Sequence, residues 1–290
     1  MNNTYIEFKK KRELGDILTD TFGFLRQNIR TIFSILIKTS GIPFIILLVA
    51  SGYYTYLSAD LLDPVSISNG ELFNSVNIFF GAILMLLTLA VFYATLFGSI
   101  MHIIKEYIEN NGVIDKTQVE INFKNSLGKI IGLGLLGSII LFFGLCLCFL
   151  PGIYLYVPLN LAFCVMVFKD QGVSESISQS FDVIKNEWWI SFATFLIMGI
   201  IIWVISFVFG LPAMIYSLSK TFTAASEGSF SDPSEMYDWV FILLNTISSA
   251  AQYVLYSITA ITAAFIYFNI NERKHNTGTL EQIDSLGKSE

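Results

Sequence analysis

Five long apolar stretches dominate this sequence, and one of them is too long for a single membrane crossing. Residues 130–168 carry no charged side chain. As one α-helix they would extend about 60 Å, roughly twice the hydrocarbon thickness of a bilayer. Leu150-Pro151-Gly152 interrupts this stretch, and proline followed by glycine favours a tight turn. We therefore predict two short crossings, over 130–149 and 151–168, with re-entrant half-helices as the alternative.

The other four stretches each predict one transmembrane helix, which gives six in total. They lie at about 31–58, 74–101, 188–216 and 239–270. Charged residues make up 14% of the chain, whereas a soluble domain has roughly 25%. The sequence therefore predicts an all-α, polytopic membrane helix bundle. We expect a single membrane domain over residues 1–272 and a disordered cytoplasmic tail over 273–290.

Positive charge alternates from loop to loop, and this pattern predicts the orientation. Sixteen of the 17 lysine and arginine residues fall in the N-terminal segment, the loops at 102–129 and 169–187, and the C-terminal tail. The opposite loops contain Lys220 and several acidic residues. Cytoplasmic loops of membrane proteins are enriched in lysine and arginine. We therefore expect both termini in the cytoplasm, which requires an even number of crossings.

Two similar segments precede transmembrane stretches on the predicted cytoplasmic side. Residues 14–33 read LGDILTDTFGFLRQNIRTIF, and residues 173–192 read VSESISQSFDVIKNEWWISF. Their apolar spacing is typical of amphipathic helices on a membrane surface, so we predict interfacial helices over 10–29 and 172–186. Each copy precedes two crossings joined by an acidic loop that contains an Asp-Pro pair, Asp63-Pro64 or Asp232-Pro233. Duplication and convergence both explain this similarity.

Polar side chains form a stripe along the last transmembrane stretch. They recur at alternating steps of four and three residues, which places them on one face of a helix: Asn245, Ser249, Gln252, Tyr256 and Thr259. Such a stripe is typical of hydrogen bonding between packed helices, and a polar path for a transported molecule is the alternative.

Basic side chains of the predicted interfacial helices are candidate contacts for lipid headgroups or a cytoplasmic partner. They are Arg26, Arg30 and Lys185. Lysine and arginine close to the cytoplasmic leaflet are attracted to anionic lipids. The chain lacks the concentrated basic patch of a nucleic-acid-binding protein, so we expect membrane lipids and other membrane proteins as partners.

Side chains suited to catalysis or metal binding are scarce. The two histidines, His102 and His275, are far apart in sequence, whereas a metal site needs a cluster of ligands. Cys146, Cys148 and Cys164 all lie in apolar stretches, where cysteine usually acts as a small packing residue. The sequence contains no Walker, G-x-S-x-G or H-E-x-x-H motif. We predict no catalytic residue, no metal site and no cofactor.

Three segments carry a resemblance to a known family. They read ELGDILTDTFGFLRQN, LPGIYLYVPL and GVSESISQSFDVIKNEWW, from residues 13, 150 and 172. The chain resembles bacterial six-span membrane proteins related to the membrane domain of glycerophosphoryl diester phosphodiesterases, above all stand-alone members from Bacteroidetes-type bacteria. The resemblance implies the bacterial inner membrane. The hydrolase activity of such proteins belongs to a separate barrel domain of roughly 250 residues, which these residues do not encode.

Sequences of this kind are sometimes labelled carotene 15,15'-monooxygenase, a label that the residues argue against. Enzymes of that type hold iron with several histidines, and two distant histidines do not supply such a set.

Three classes of function follow. We favour a non-catalytic membrane component that binds a partner, assists assembly or organises the bilayer. A passive carrier or permease for a lipid or apolar small molecule is the second class. A lipid-modifying enzyme is the third and has the least support in the sequence.

Overall fold

α-Helices account for nearly all of the chain that the computed structural model describes, which is residues 5–58, 72–147, 149–227, 238–278 and 280. The predicted all-α class is confirmed for this part of the chain. Its seven helices are α1 (Leu14–Ser58), α2 (Leu72–Glu109), α3 (Lys116–Leu147), α4 (Phe149–Lys169), α5 (Val173–Ile184), α6 (Trp188–Glu227) and α7 (Trp239–His275).

Six of these helices are long and apolar enough to cross a membrane. They are α1, α2, α3, α4, α6 and α7. A crossing needs about 20 apolar residues, and even the shortest of the six, α4, has 21 residues. By helix length and hydropathy the chain is a multi-pass membrane protein. The remaining helix, α5, has 12 residues and a polar face.

Helix α1 joins two elements that the sequence analysis separated. We expected an interfacial helix over 10–29 and a crossing over 31–58, whereas one helix runs from Leu14 to Ser58. No proline or glycine lies between Phe24 and Ser40, so the local sequence contains no residue that strongly ends a helix there. The side chain of Asn28 bonds back to the carbonyl of Phe24 at 3.1 Å, which keeps it within the helical turn.

The second copy of the repeated segment ends its helix, in contrast to the first. Helix α5 stops at Ile184, and Asn186 follows with a φ of 71°. Asparagine tolerates this left-handed conformation better than most residues. The aligned residue of the first copy is Gln27, which lies inside α1. Asn186 therefore permits the helix to end, whereas Gln27 at the aligned position favours its continuation.

The turn between α3 and α4 falls earlier than predicted. Helix α3 ends at Leu147 and α4 begins at Phe149, so Pro151 and Gly152 lie in the first turn of α4. Proline is tolerated there because first-turn amides have no acceptor within their helix. A Cβ atom at Gly152 would overlap the side chain of Leu145. The pair therefore allows close packing at the start of α4 and does not form the turn.

The chain contains two compact units, each assembled from separate stretches of sequence. Unit 1 comprises Met1–Gly41, Tyr93–Ile200 and Tyr256–Glu290, and unit 2 comprises Ile42–Phe92 and Ile201–Leu255. Helices α3, α4 and α5 thus belong wholly to unit 1. Unit 2 contains segments of the four other helices.

The core of unit 1 is centred on α4 and the last part of α7. Almost every side chain from Val157 to Val167 and from Ser257 to Ile270 is buried. Phe8, from the segment before α1, stacks on Phe265 with ring centroids 4.3 Å apart. The N-terminal segment is therefore part of the packed core.

Unit 2 packs its aromatic side chains inward and leaves an apolar exterior. Phe92 contacts the rings of Phe44 and Tyr253, with centroids 5.5 and 6.1 Å away. Outward side chains such as Ile42 and Trp203 are 74% and 68% exposed. In water such a surface would be costly, whereas lipid chains solvate it without penalty.

Some predicted features lie outside the described residues. These are the Asp63-Pro64 and Asp232-Pro233 pairs, Cys148 and most of the tail predicted to be disordered. At the start of that tail, α7 continues to His275, and the amide of Gly278 donates to the Glu272 carboxylate at 2.7 Å. This part of the tail is ordered against the core of unit 1.

Candidate functional site

The predicted polar stripe lies on α7 but does not share one environment. Asn245 and Ser249 are partly buried, Gln252 is exposed, Tyr256 is partly buried and Thr259 is buried. The spacing places these side chains along one side of the helix, as predicted. Along α7 the stripe is therefore partly buried at its start, exposed at Gln252 and buried at Thr259.

Tyr256 joins a buried polar cluster that the sequence analysis did not identify as a unit. The hydroxyl of Tyr93, on α2, donates to Oδ1 of Asn160, on α4, at 2.5 Å. The Asn160 amide donates to the carbonyl of Tyr156 at 2.7 Å. The ring of Tyr256 meets that of Tyr93 edge-on at 6.1 Å. Because Tyr93 and Asn160 bond each other, this geometry favours helix packing over a path for a solute.

Pro158 of α4 leaves a helix carbonyl free, and a side chain of α6 takes the place of the missing donor. Proline has no N–H group, so the carbonyl of Tyr154, four residues earlier, has no helical partner. The indole N–H of Trp188 donates to this carbonyl at 3.2 Å. The Trp188 ring also stacks on Tyr154, with centroids 5.6 Å apart. This contact holds the first half of α4 against the start of α6.

The predicted basic contacts Arg26, Arg30 and Lys185 are all exposed. Among the described residues, the structure gives none of the three an ion pair or a side-chain hydrogen bond. Their charges are therefore available to solvent or lipid headgroups.

Arg12 forms a second site that the sequence analysis missed, having counted it as one of many surface charges. Its side chain is 2% exposed and pairs with Asp20 at 2.7 Å. Its guanidinium also donates to the backbone carbonyls of Glu7, Phe8 and Lys10. The Arg12 amide donates to Oδ1 of Asn269 on α7 at 2.8 Å. The N-terminal segment is thus fixed to α7 through one buried arginine.

Charged side chains at the end of α7 connect it to α5 and α6. Lys274 donates to the carbonyls of Asp182 and Val183, the last turn of α5, at 3.1 and 2.8 Å. The Asp182 carbonyl also accepts the Lys185 amide at 3.4 Å, and a lysine is favourable at this negative end of the helix dipole. Arg273 pairs with Glu187 at 3.4 Å. The ends of three helices therefore meet in one charged layer.

A polar group in unit 2 joins the second half of α6 to the start of α7. Asp238 precedes α7 and accepts the Phe241 amide at 2.9 Å, which caps the helix. Its other oxygen accepts from Tyr216 at 2.5 Å and Lys220 at 2.7 Å. Burial raises the pKa of Asp238, but the bonds from Lys220, Tyr216 and the Phe241 amide outweigh it and lower the pKa to about 2.

Metal-binding clusters are not found in the part of the chain that the structure describes. His102 is buried, and its Nε2 lies 2.7 Å from the hydroxyl of Ser126. Cys164 is buried and Cys146 is exposed, and neither is in a disulfide. His102 and Cys164 are thus packed in the interior of unit 1.

Comparison with known proteins returned no match: no protein-family model, no curated protein and no solved structure is significantly similar to this chain.

Proposed function

We propose that this protein is a non-catalytic component of a bacterial inner membrane that associates with another transmembrane helix through α7. The observation that carries the proposal is the exposure of Gln252. It lies in the apolar part of α7, 13 residues after Trp239, between the apolar and exposed side chains of Ile247 and Val254.

An exposed amide in this position needs a partner. Among the described residues the structure gives the Gln252 side chain no hydrogen bond. Transfer of an unpaired amide into hydrocarbon costs at least about 2 kcal/mol. Polar side chains on transmembrane helices commonly meet this cost by bonding across a helix–helix interface. Asn245 and Ser249, on the same side of α7, would extend such an interface.

The exposed basic side chains support the same proposal on the cytoplasmic side. Arg26, Arg30 and Lys185 would contact anionic headgroups and fix the depth of the protein in the membrane. The alternation of lysine and arginine between loops supports cytoplasmic termini. The resemblance to bacterial six-span membrane proteins supports the bacterial inner membrane as the location.

Quantitative co-purification in mild detergent tests this proposal. The variant Gln252→Leu removes the amide and nearly keeps the side-chain volume, and Val254→Leu, at an exposed position on the other side of α7, is its control. We expect Gln252→Leu to lower the amount of a stoichiometric membrane partner, or of a second copy, by about tenfold. Val254→Leu should leave it unchanged. If both variants recover the same amount of the partner, the partner does not bind through Gln252 on α7.

A passive carrier for a lipid or an apolar small molecule is a second candidate, supported by the polar stripe on α7. Under this alternative, Gln252→Leu would abolish transport into vesicles while the proteins that co-purify stay the same. The two readouts of one variant therefore separate the two functions.

A further inference from the structure

We infer that the α3–α4 hairpin is re-entrant: it enters the membrane from the side on which α5 lies, returns to that side, and contacts the acyl chains of that leaflet. Helices α1, α2, α6 and α7 would then be the complete crossings. Four crossings still place both termini on the same side of the membrane, because any even number of crossings does so.

Helix α5 runs back along α4. Lys169, at the end of α4, donates to Gln179 in the middle of α5 at 3.3 Å. The ring of Tyr154, near the start of α4, meets that of Phe181 near the end of α5, with centroids 6.3 Å apart. Tyr154 and Lys169 are separated by about 22 Å along α4. Helix α5 begins at Val173, four residues after Lys169, and its Phe181 reaches Tyr154, so α5 folds back beside the stretch of α4 between Tyr154 and Lys169.

The polar face of α5 keeps this pair close to the membrane surface. Ser174, Ser178 and Asp182 are exposed at four-residue spacing, and Glu175 is exposed beside them. An ionised carboxylate exposed to hydrocarbon is strongly unfavourable. Because α5 cannot enter the hydrocarbon core, the part of α4 that lies along it cannot reach the opposite surface.

Contacts at the start of α6 place Tyr154 near the charged layer. The Trp188 indole bonds the Tyr154 carbonyl at 3.2 Å, and the adjacent Glu187 pairs with Arg273. From Tyr154 to Phe149, where α4 begins, the helix extends only about 8 Å. The hydrocarbon core is about 30 Å thick. A tip this close to the charged layer ends within the nearer leaflet.

The end of the α3–α4 hairpin carries large, exposed apolar side chains that suit contact with lipid. Leu147, Phe149 and Leu150 are 82%, 70% and 72% exposed, and one residue separates the two helices. A tip in water would leave these three large apolar side chains hydrated, which is unfavourable. Phe142 and Phe143 extend the exposed apolar surface along α3. Acyl chains of one leaflet fit this surface.

Cysteine labelling with a membrane-impermeant maleimide tests the inference in oriented membrane vesicles. Cys146, exposed near the tip, is the native reporter in a background with Cys148→Ala and Cys164→Ala. Ser226→Cys reports the far side of the membrane, and Glu109→Cys and Asn186→Cys report the near side. We expect Asn186→Cys to react only from the side of Glu109→Cys, and Cys146 to be unreactive from the side of Ser226→Cys. Reaction of Cys146 at the rate of Ser226→Cys from that side overturns the inference.

Cross-linking distinguishes a re-entrant tip from a crossing tip that is shielded by lipid. In native membranes, a short bifunctional thiol reagent should join Tyr154→Cys to Trp188→Cys. A protease site inserted at Gln171 lets the joined fragments be counted, and the single-cysteine variants are the controls. We expect cross-linking of most of the protein. If the double variant folds but forms no cross-link, Tyr154 lies away from Trp188 and the inference is overturned. Neither assay depends on a partner at Gln252, so failure here leaves the proposed function untouched.

Discussion

At the scale of single residues, a buried arginine shows how one side chain fixes a whole segment. Arg12 is surrounded by the Asp20 carboxylate, three backbone carbonyls and the face of the Phe265 ring, 4.8 Å away. Guanidinium can satisfy so many acceptors because it has five donors in a rigid plane. Its loss would remove a donor from the Asp20 carboxylate and from three backbone carbonyls.

Replacement of Arg12 by methionine should therefore destabilise the protein strongly. We expect the free energy of unfolding to fall by about 3 kcal/mol, since buried acceptors of a charged donor lose their partner. The measurement is unfolding in detergent micelles. Lys11→Met is the control, because Lys11 is exposed. Equal stabilities of the two variants would contradict the role assigned to Arg12.

Asp238 makes a prediction about pH. Its pKa is lowered to about 2, so its bonds to Lys220 and Tyr216 stabilise the folded state fully above about pH 4, the usual carboxyl pKa. This stabilisation is lost as the pH falls toward 2, because the folded state must then take up a proton that the unfolded state already holds. Asp238→Asn should lower the midpoint of thermal unfolding at pH 7, and the difference from the unchanged protein should shrink between pH 4 and pH 2. A difference that is constant over this range would contradict the assignment.

At the scale of elements, α4 depends on a side chain from another helix. Pro158 removes a donor from α4, and Trp188 supplies one to the carbonyl of Tyr154. Proline in a transmembrane helix is tolerated where a neighbour satisfies the freed carbonyl. The position of α6 is therefore coupled to the sequence of α4.

This coupling predicts a non-additive pair of substitutions. Trp188→Phe keeps an aromatic ring for stacking but removes the N–H donor, and should cost about 1 kcal/mol of unfolding free energy. In a Pro158→Ala background the new amide can donate to Tyr154, so the same change should cost less. Unfolding of the two single variants, the double variant and the unchanged protein measures the difference. An equal cost in both backgrounds would exclude the compensation.

At the scale of the whole molecule, the least apolar of the six long helices are the most buried. The most apolar stretches of α3 and α6 bury 22% of their residues, whereas the less apolar stretches of α4 and α7 bury 67% and 83%. In a bilayer the lipid solvates apolar side chains as well as a protein core does. Small and polar side chains therefore collect where helices meet, as in the Tyr93–Asn160 pair.

Orientation is also a property of the whole molecule. A reporter enzyme that is active only outside the cytoplasm should be inactive when fused to either terminus and active when inserted within residues 228–237. The reason is the excess of lysine and arginine in the terminal segments. Activity at one terminus alone would require an odd number of crossings and would contradict the predicted orientation.

The sequence by itself determined the fold class and the approximate position of each long helix. Apolar length is a local property, and comparison with the bilayer thickness shows which helices are long enough to cross. It also indicated the helix at 172–186, because amphipathic spacing is readable within one short segment. The continuity of α1 was missed, since a charge pattern marks an interface but does not end a helix.

The tertiary structure alone decided which polar side chains meet. Tyr93, Asn160 and Tyr256 come from three helices, and Arg12 reaches Asn269 across more than 250 residues of sequence. No periodicity within one helix encodes such partners, because they depend on how helices rotate and pack against each other. For the same reason the stripe on α7 could be predicted as a set, whereas its division into buried Thr259 and exposed Gln252 followed only from the neighbours that cover one end of the helix and not the other.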